Sequence, residues 1–219
     1  SSEDSITFSR VSLDGEEGYP GNLDYAITYR LSEKGLHIET TATTDQDTLF
    51  AYTNHAYFNL DESDSILDHT LMIPTDHYAL LDETCLTKPE FHAVENTAFD
   101  FRQAKKIGQD INLDDIQLTY GKGYDHHFPI PGEGLRTMAI LSDGKLELEM
   151  ASDYPGFHLY TANWLNGAIG KNGHHYGERS SVCLEAEYLP NGINYPHIEP
   201  KRVGETQKHR IDFLVRHVK

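Results

Sequence analysis

The chain has 219 residues and is acidic, with 35 Asp and Glu against 18 Lys and Arg and a formal charge of −17. A field of that sign repels phosphate backbones and anionic bilayers, so neither nucleic acid nor a membrane surface is expected as a partner, whereas neutral solutes are compatible with it. Cys85 and Cys183 are too few for a disulfide framework, no apolar run reaches the length of a membrane span, and Ser1-Ser2-Glu3-Asp4-Ser5 is not a secretion signal, so reduced thiols and a cytoplasmic location are expected.

The first regular element has a period of two. Leu23, Tyr25, Ile27, Tyr29 and Leu31 alternate with Asp24, Ala26, Thr28 and Arg30, the pattern of a half-buried strand. Ser32-Glu33-Lys34-Gly35 supplies a tight turn, and Leu36 and Ile38 alternate with His37 and Glu39 on the return strand. A further strand is expected over Thr48–Tyr52, running into Asn54, His55 and Tyr57. Phe101–Ile111 carries the one hint of helix, limited by Gly108. Residues 112–134 and 166–180 read as long irregular connections of the kind that carry function or pack on a sheet. A second hairpin joins Thr137–Leu141 to Leu146–Met150 through Ser142-Asp143-Gly144. Later strands are expected at Phe157–Asn163, Ser181–Glu187 and Arg210–Val215. No repeat of solenoid or propeller period recurs. The fold class implied is all-β, a large antiparallel β-sandwich with long loops and little helix, forming one domain over residues 1–219.

Three blocks hold the chemistry-bearing residues: Thr-Asn-His-Ala-Tyr-Phe-Asn-Leu at 53–60, Gly-Tyr-Asp-His-His-Phe at 123–128 and Cys-Leu-Glu-Ala-Glu-Tyr-Leu-Pro-Asn-Gly-Ile-Asn at 183–194. A histidine titrates near neutrality and is a natural proton carrier, although a lone one is more often a core residue satisfied by backbone groups. Glu185 follows the apolar run Val182-Cys183-Leu184. A carboxylate buried there would have its pKa raised, which suits a base; the plainer alternative is a side chain pointing to solvent or paired with arginine. Asp125 suits either hydrogen bonding to a ligand or an Asx turn after Gly123. The thirteen histidines include the pairs His126-His127 and His174-His175, but neighbours on a strand face opposite ways and do not ligate one ion together. Gly-x-Gly-x-x-Gly, phosphate-loop and Gly-x-Ser-x-Gly patterns are absent from the sequence, so no nucleotide cofactor and no metal is expected.

These blocks, with Gly-Glu-Glu-Gly-Tyr-Pro-Gly-Asn-Leu at 15–23, Thr-Ala-Phe-Asp-Phe-Arg at 97–102 and Tyr-Pro-Gly-Phe-His-Leu-Tyr-Thr-Ala-Asn at 154–163, resemble the aldose 1-epimerase, or galactose mutarotase, family. The resemblance implies a twisted β-sandwich that interconverts the α and β anomers of free aldohexoses such as galactose and glucose, with no cofactor. It implies Glu185 as general base and His55 as general acid, with Asp125, Tyr57, His158 and Ala56 at the substrate. Two departures stand out. His158 occupies a position where the family usually carries Gln. The family also has an N-terminal portion, bearing an Asn-Arg pair and another histidine, that has no counterpart here. The sandwich is accordingly expected to lack its N-terminal strands and to associate with itself or with a complementing segment. The alternatives are a sugar-binding module without turnover and a hexose-6-phosphate 1-epimerase, which would want a cluster of Lys or Arg that the main blocks lack.

Overall fold

The computed structural model describes residues 4–61, 63–195, 204 and 206–218. Its early strands are β1 (Ser5–Ser12), β2 (Leu23–Ser32), β3 (Gly35–Thr44), β4 (Tyr57–Phe58), β5 (Thr70–Met72), β6 (His77–Leu81), β7 (Thr87–Ala93) and β8 (Lys105–Lys106). A short helix, α1 (Ile116–Gly121), precedes β9 (Asp125–Pro129), β10 (Arg136–Ser142), β11 (Leu146–Ser152) and β12 (Gly156–Tyr160). The series closes with β13 (Ala168–Ile169), β14 (His175–Tyr176), β15 (Val182–Glu187) and β16 (Gln207–His217).

Eight strands form one antiparallel sheet in the order β1-β2-β3-β16-β11-β10-β5-β8, and four form a second in the order β4-β15-β12-β9. The sheets pack face to face. Phe58 of the small sheet meets Phe213 of the large one with ring centroids 4.9 Å apart. Ile38, Leu141, Leu148, Met150 and Ile211 from the large sheet join Phe128, Phe157, Leu159, Val182 and Leu184 from the small one in a single buried cluster. Each such side chain is worth about 1.5–3 kcal/mol on burial, so this shared layer is the main force holding the sheets together.

Both expected hairpins form, β2–β3 pairing Ser32 with Gly35 and β10–β11 pairing Ser142 with Glu147. Residues 112–134 are not one irregular connection, since α1 and β9 lie within them, and three further expectations are corrected. Thr48–Tyr52 is not a strand: the segment has only an isolated bridge at Leu49, and pairing with β15 begins at Tyr57 opposite Cys183. Residue preference for strands had no partner edge there to act on. The helix hinted at 101–111 is instead the two-residue strand β8 followed by a 3-10 turn at Ile107–Gln109. The α-helix lies at Ile116–Gly121, where the Asp115 carboxylate caps it by accepting from the amides of Gln117 (2.7 Å) and Leu118 (3.3 Å). The third concerns Phe157–Asn163, whose strand stops at Tyr160 because Thr161 and Asn163 turn away to bond the backbone of another loop.

Gly156 begins β12 against β9. A Cβ there would lie 2.5 Å from both the His127 ring and the Phe128 carbonyl. Gly156→Ala is therefore expected to destabilise by about 1–3 kcal/mol through forced separation of the two strands. Urea denaturation checks this, and an unchanged midpoint would mean that the strands slide apart freely.

Candidate active site

The small sheet has two unlike faces. On β15, Val182, Leu184 and Ala186 are buried in the core, while Cys183, Glu185 and Glu187 alternate onto the other side. The register carries that second face across the sheet. Glu185 lies opposite His158 and Cys183 opposite Tyr160 on β12; His158 lies opposite His127 and Tyr160 opposite Asp125 on β9; and Cys183 lies opposite Tyr57 on β4. Parity alone thus gathers two histidines, three carboxylates, a thiol and two tyrosines onto one polar surface.

His55 arrives from the irregular segment before β4 rather than from a strand. Its ring stacks on Tyr57, centroids 5.1 Å apart at 27°, and Tyr160 stands edge-on to both. In this aromatic frame His55 Nε2 sits 3.5 Å from Glu185 Oε2, with the histidine side chain 51% exposed and the glutamate 9%. Glu185 is thus a nearly buried carboxyl with one face open. Burial pushes its pKa up to about 7, with Asp125 adding to the rise and His158 opposing it. Glu187 is likewise pushed up to about 7 by burial, against the pull of His158.

His158 donates or accepts at Nε2 with Asp125 Oδ1 at 2.8 Å. Burial by itself lowers the pKa of the His158 imidazolium, but the Asp125 contact, helped by Glu187 and Glu185, outweighs it and the net shift is upward. Asp125 is delivered by the turn after α1, where Gly123 takes φ +135°. That turn is clamped from outside. Asn163 Nδ2 donates to the carbonyls of Gly121 (2.7 Å) and Tyr124 (2.9 Å), and Arg179 donates to the Lys122 carbonyl and to Asn163 Oδ1.

The expected site residues are brought together in part as anticipated. His55, Tyr57, Asp125, His158 and Glu185 all reach one face. Tyr57 is about half exposed and is not a core residue. Ala56 lies between His55 and Tyr57, partly buried, with only its backbone able to hydrogen-bond. Asn54 bonds Tyr52. His126 and His127 do face opposite ways, His126 packing edge-on against Phe99 with centroids 4.5 Å apart. Glu187, Tyr160, Cys183 and Arg179 were not anticipated. The first three were readable as the alternate positions of strands already recognised; Arg179 was not, because its partners are distant in sequence.

The sequence profile of the family described as Aldose 1-epimerase matches residues 1–214. The chain belongs to the aldose 1-epimerase family. It is 36% identical over 212 residues to a protein named aldose 1-epimerase from Haemophilus influenzae, covering 94% of this chain and 61% of that one. It is 38% identical over 213 residues to the human galactose mutarotase, covering 93% and 60%. The chain therefore spans about three fifths of the length of these relatives. Among solved structures, a galactose 1-epimerase from Lactobacillus acidophilus superposes with a TM-score of 0.87 at 30% identity, covering 99% of this chain and 64% of that one. An aldose epimerase homologue from C. elegans gives a TM-score of 0.89 at 27% identity, covering 100% and 67%.

The His158–Asp125 contact makes a prediction. Asp125→Asn removes a charge-assisted hydrogen bond worth roughly 1.5–3 kcal/mol. If Asp125 also grips a sugar hydroxyl, the variant's KM for galactose should rise about tenfold or more while kcat changes less. A fall in kcat alone would place Asp125 outside substrate binding.

Proposed function

We propose that this chain carries the acid–base machinery that interconverts the α and β anomers of free aldohexoses, galactose and glucose among them. The observation that carries the reading is the 3.5 Å approach of His55 to Glu185 on the open polar face. Opening a cyclic hemiacetal requires a proton to leave the anomeric hydroxyl and another to reach the ring oxygen. Those two oxygens hang on the same carbon, so acid and base must be close neighbours, as these side chains are. A pair of carboxyls flanking a glycosidic bond is held farther apart, about 5 Å or more.

In the reaction Glu185 takes the proton of the anomeric hydroxyl while His55 gives one to the ring oxygen, and the bond between anomeric carbon and ring oxygen breaks. The new carbonyl rotates about the bond to its neighbouring carbon, and the ring oxygen attacks its other face. His55 recovers its proton and Glu185 returns its own to the new hydroxyl. Tyr57 and Tyr160 offer apolar ring surface, and Asp125 with His158 offers hydrogen bonds to the remaining hydroxyls.

Neutral sugars fit better than sugar phosphates. Arg179, which clamps the Asp125 turn, is committed to Asn163 and the Lys122 carbonyl, and Lys122 within that turn lies over the Trp164 ring at 3.9 Å from its centroid. The test is the optical rotation of freshly dissolved α-galactose with and without the chain. Decay to equilibrium faster than buffer supports the reading. No acceleration at any concentration, with galactose still bound, would favour a sugar-binding module instead.

A further inference from the structure

Besides the proton-transfer pair, the polar face holds a third group that the proposed reaction does not use. Cys183 is fully buried beneath the site, two residues before Glu185 on the same side of β15. Among the described residues, one donor atom each from His55, Cys183 and Glu185 can be chosen so that all three lie within 4.8 Å of one another. The sheet register explains the coincidence. Cys183 and Glu185 project together by parity, and Cys183 pairs with Tyr57, whose ring holds the His55 imidazole by stacking.

We propose that His55, Cys183 and Glu185 form a binding site for a borderline divalent transition-metal ion of the Zn²⁺ class, and that ion and sugar exclude each other. The donor set is one imidazole nitrogen, one thiolate sulfur and one carboxylate oxygen, which suits zinc or cobalt and excludes magnesium or calcium. Metal–ligand distances of about 2.0–2.3 Å place tetrahedral ligand atoms roughly 3.3–3.7 Å apart. The His55–Glu185 separation of 3.5 Å already meets that, so closure asks only a small side-chain movement toward sulfur. His55 is half exposed and Glu185 is open on one side, which leaves solvent access for a fourth ligand. On binding, the thiol proton leaves to water and the sulfur lone pair forms the metal bond.

Metal binding itself stands independently of catalysis; the exclusion rests on the proposed function, since the ion occupies the lone pairs of the acid–base pair. The probe is Co²⁺, titrated into the reduced chain. One equivalent should generate a thiolate-to-cobalt charge-transfer band with the intense d–d absorption of a tetrahedral ion, abolished by added Zn²⁺. The band should persist in Cys85→Ser, vanish in Cys183→Ser and require at least tenfold more cobalt in His55→Ala, where an exposed side chain is removed without disturbing the core. Absence of the band, its loss in Cys85→Ser or its survival in Cys183→Ser would overturn the site. Saturating galactose should raise the cobalt concentration needed severalfold; no change would overturn the exclusion. The spectral arms are read whether or not the chain turns over sugar, so failure of the site and failure of the enzymatic reading are distinguishable.

Discussion

Glu185→Gln is expected to lower kcat for mutarotation by about 10²–10⁴-fold, the usual contribution of one positioned proton-transfer group. The amide keeps the shape of the side chain and loses its capacity to accept the proton. The same variant carries a second signature, which reads the burial of the carboxyl. The carboxyl lies at about 7 in the fold, against an ordinary 4.5. Between those pH values the folded chain binds a proton there that the unfolded chain has lost, so wild-type stability falls as pH rises through the window. Carrying a carboxyl that far amounts to about 3 kcal/mol. Glu185→Gln should therefore match the native chain near pH 4.5 and exceed it by up to about 3 kcal/mol at pH 8. Thermal or urea unfolding at the two pH values reads this, and a difference independent of pH would remove the argument for a strained carboxyl. On the proposed mechanism the base must be ionised, so the mutarotation rate of the native chain should fall as pH drops through about 7. His126 and His127 act in the opposite sense on stability. Their burial pulls the pKa of His126 well below its ordinary value and that of His127 to about 3, so they favour folding at neutral pH and cease to do so in acid.

The second large effect is on the other face of the same sheet. Phe157 is fully buried on the core face of β12, the strand that presents His158, with its ring stacked on Phe128 at a centroid distance of 5.8 Å. Phe157→Ala should cost about 3–5 kcal/mol through lost burial and the cavity left behind. A chain of ordinary stability has only about 5–15 kcal/mol in hand, and at this chain length the loss should lower the thermal midpoint by about 6–20 °C. Denaturant titration measures the loss; a cost below about 1 kcal/mol would mean that the layer between the sheets collapses to fill the gap.

Strand periodicity was the most legible feature of this sequence. The alternation in β2 and around β10–β11 predicted both hairpins because one face of each strand meets the core and the other meets water. The same rule applied to Val182–Glu187 would have placed Cys183 and Glu187 beside Glu185, since all three share parity. Thr48–Tyr52 shows the limit of the rule: β-branched and aromatic residues mark a strand only where a free edge awaits them. The helix at Ile116 escaped notice because six residues are too short for a periodic signal, and only the Asp115 cap announced it. Arg179 was illegible for a different reason. Its role is to bond Asn163 and the Lys122 carbonyl across long stretches of chain, and nothing local in Gly-Glu-Arg-Ser encodes that. Family resemblance proposed roles for Glu185 and His55; the register sets Glu185 on the polar face and Tyr57 opposite Cys183, and stacking on Tyr57 brings His55 to Glu185.

Trp164 is the chain's one tryptophan. It stands half exposed at the rim of the site, its amide donating to the Tyr160 hydroxyl at 3.0 Å and its ring beneath the Lys122 ammonium. The indole emission of the whole protein therefore originates at a single point, next to the tyrosine that frames His55. A sugar that displaces Lys122 or shifts Tyr160 would alter that emission directly, so occupancy can be followed in unlabelled protein, with no chromophore in the sugar and no turnover required.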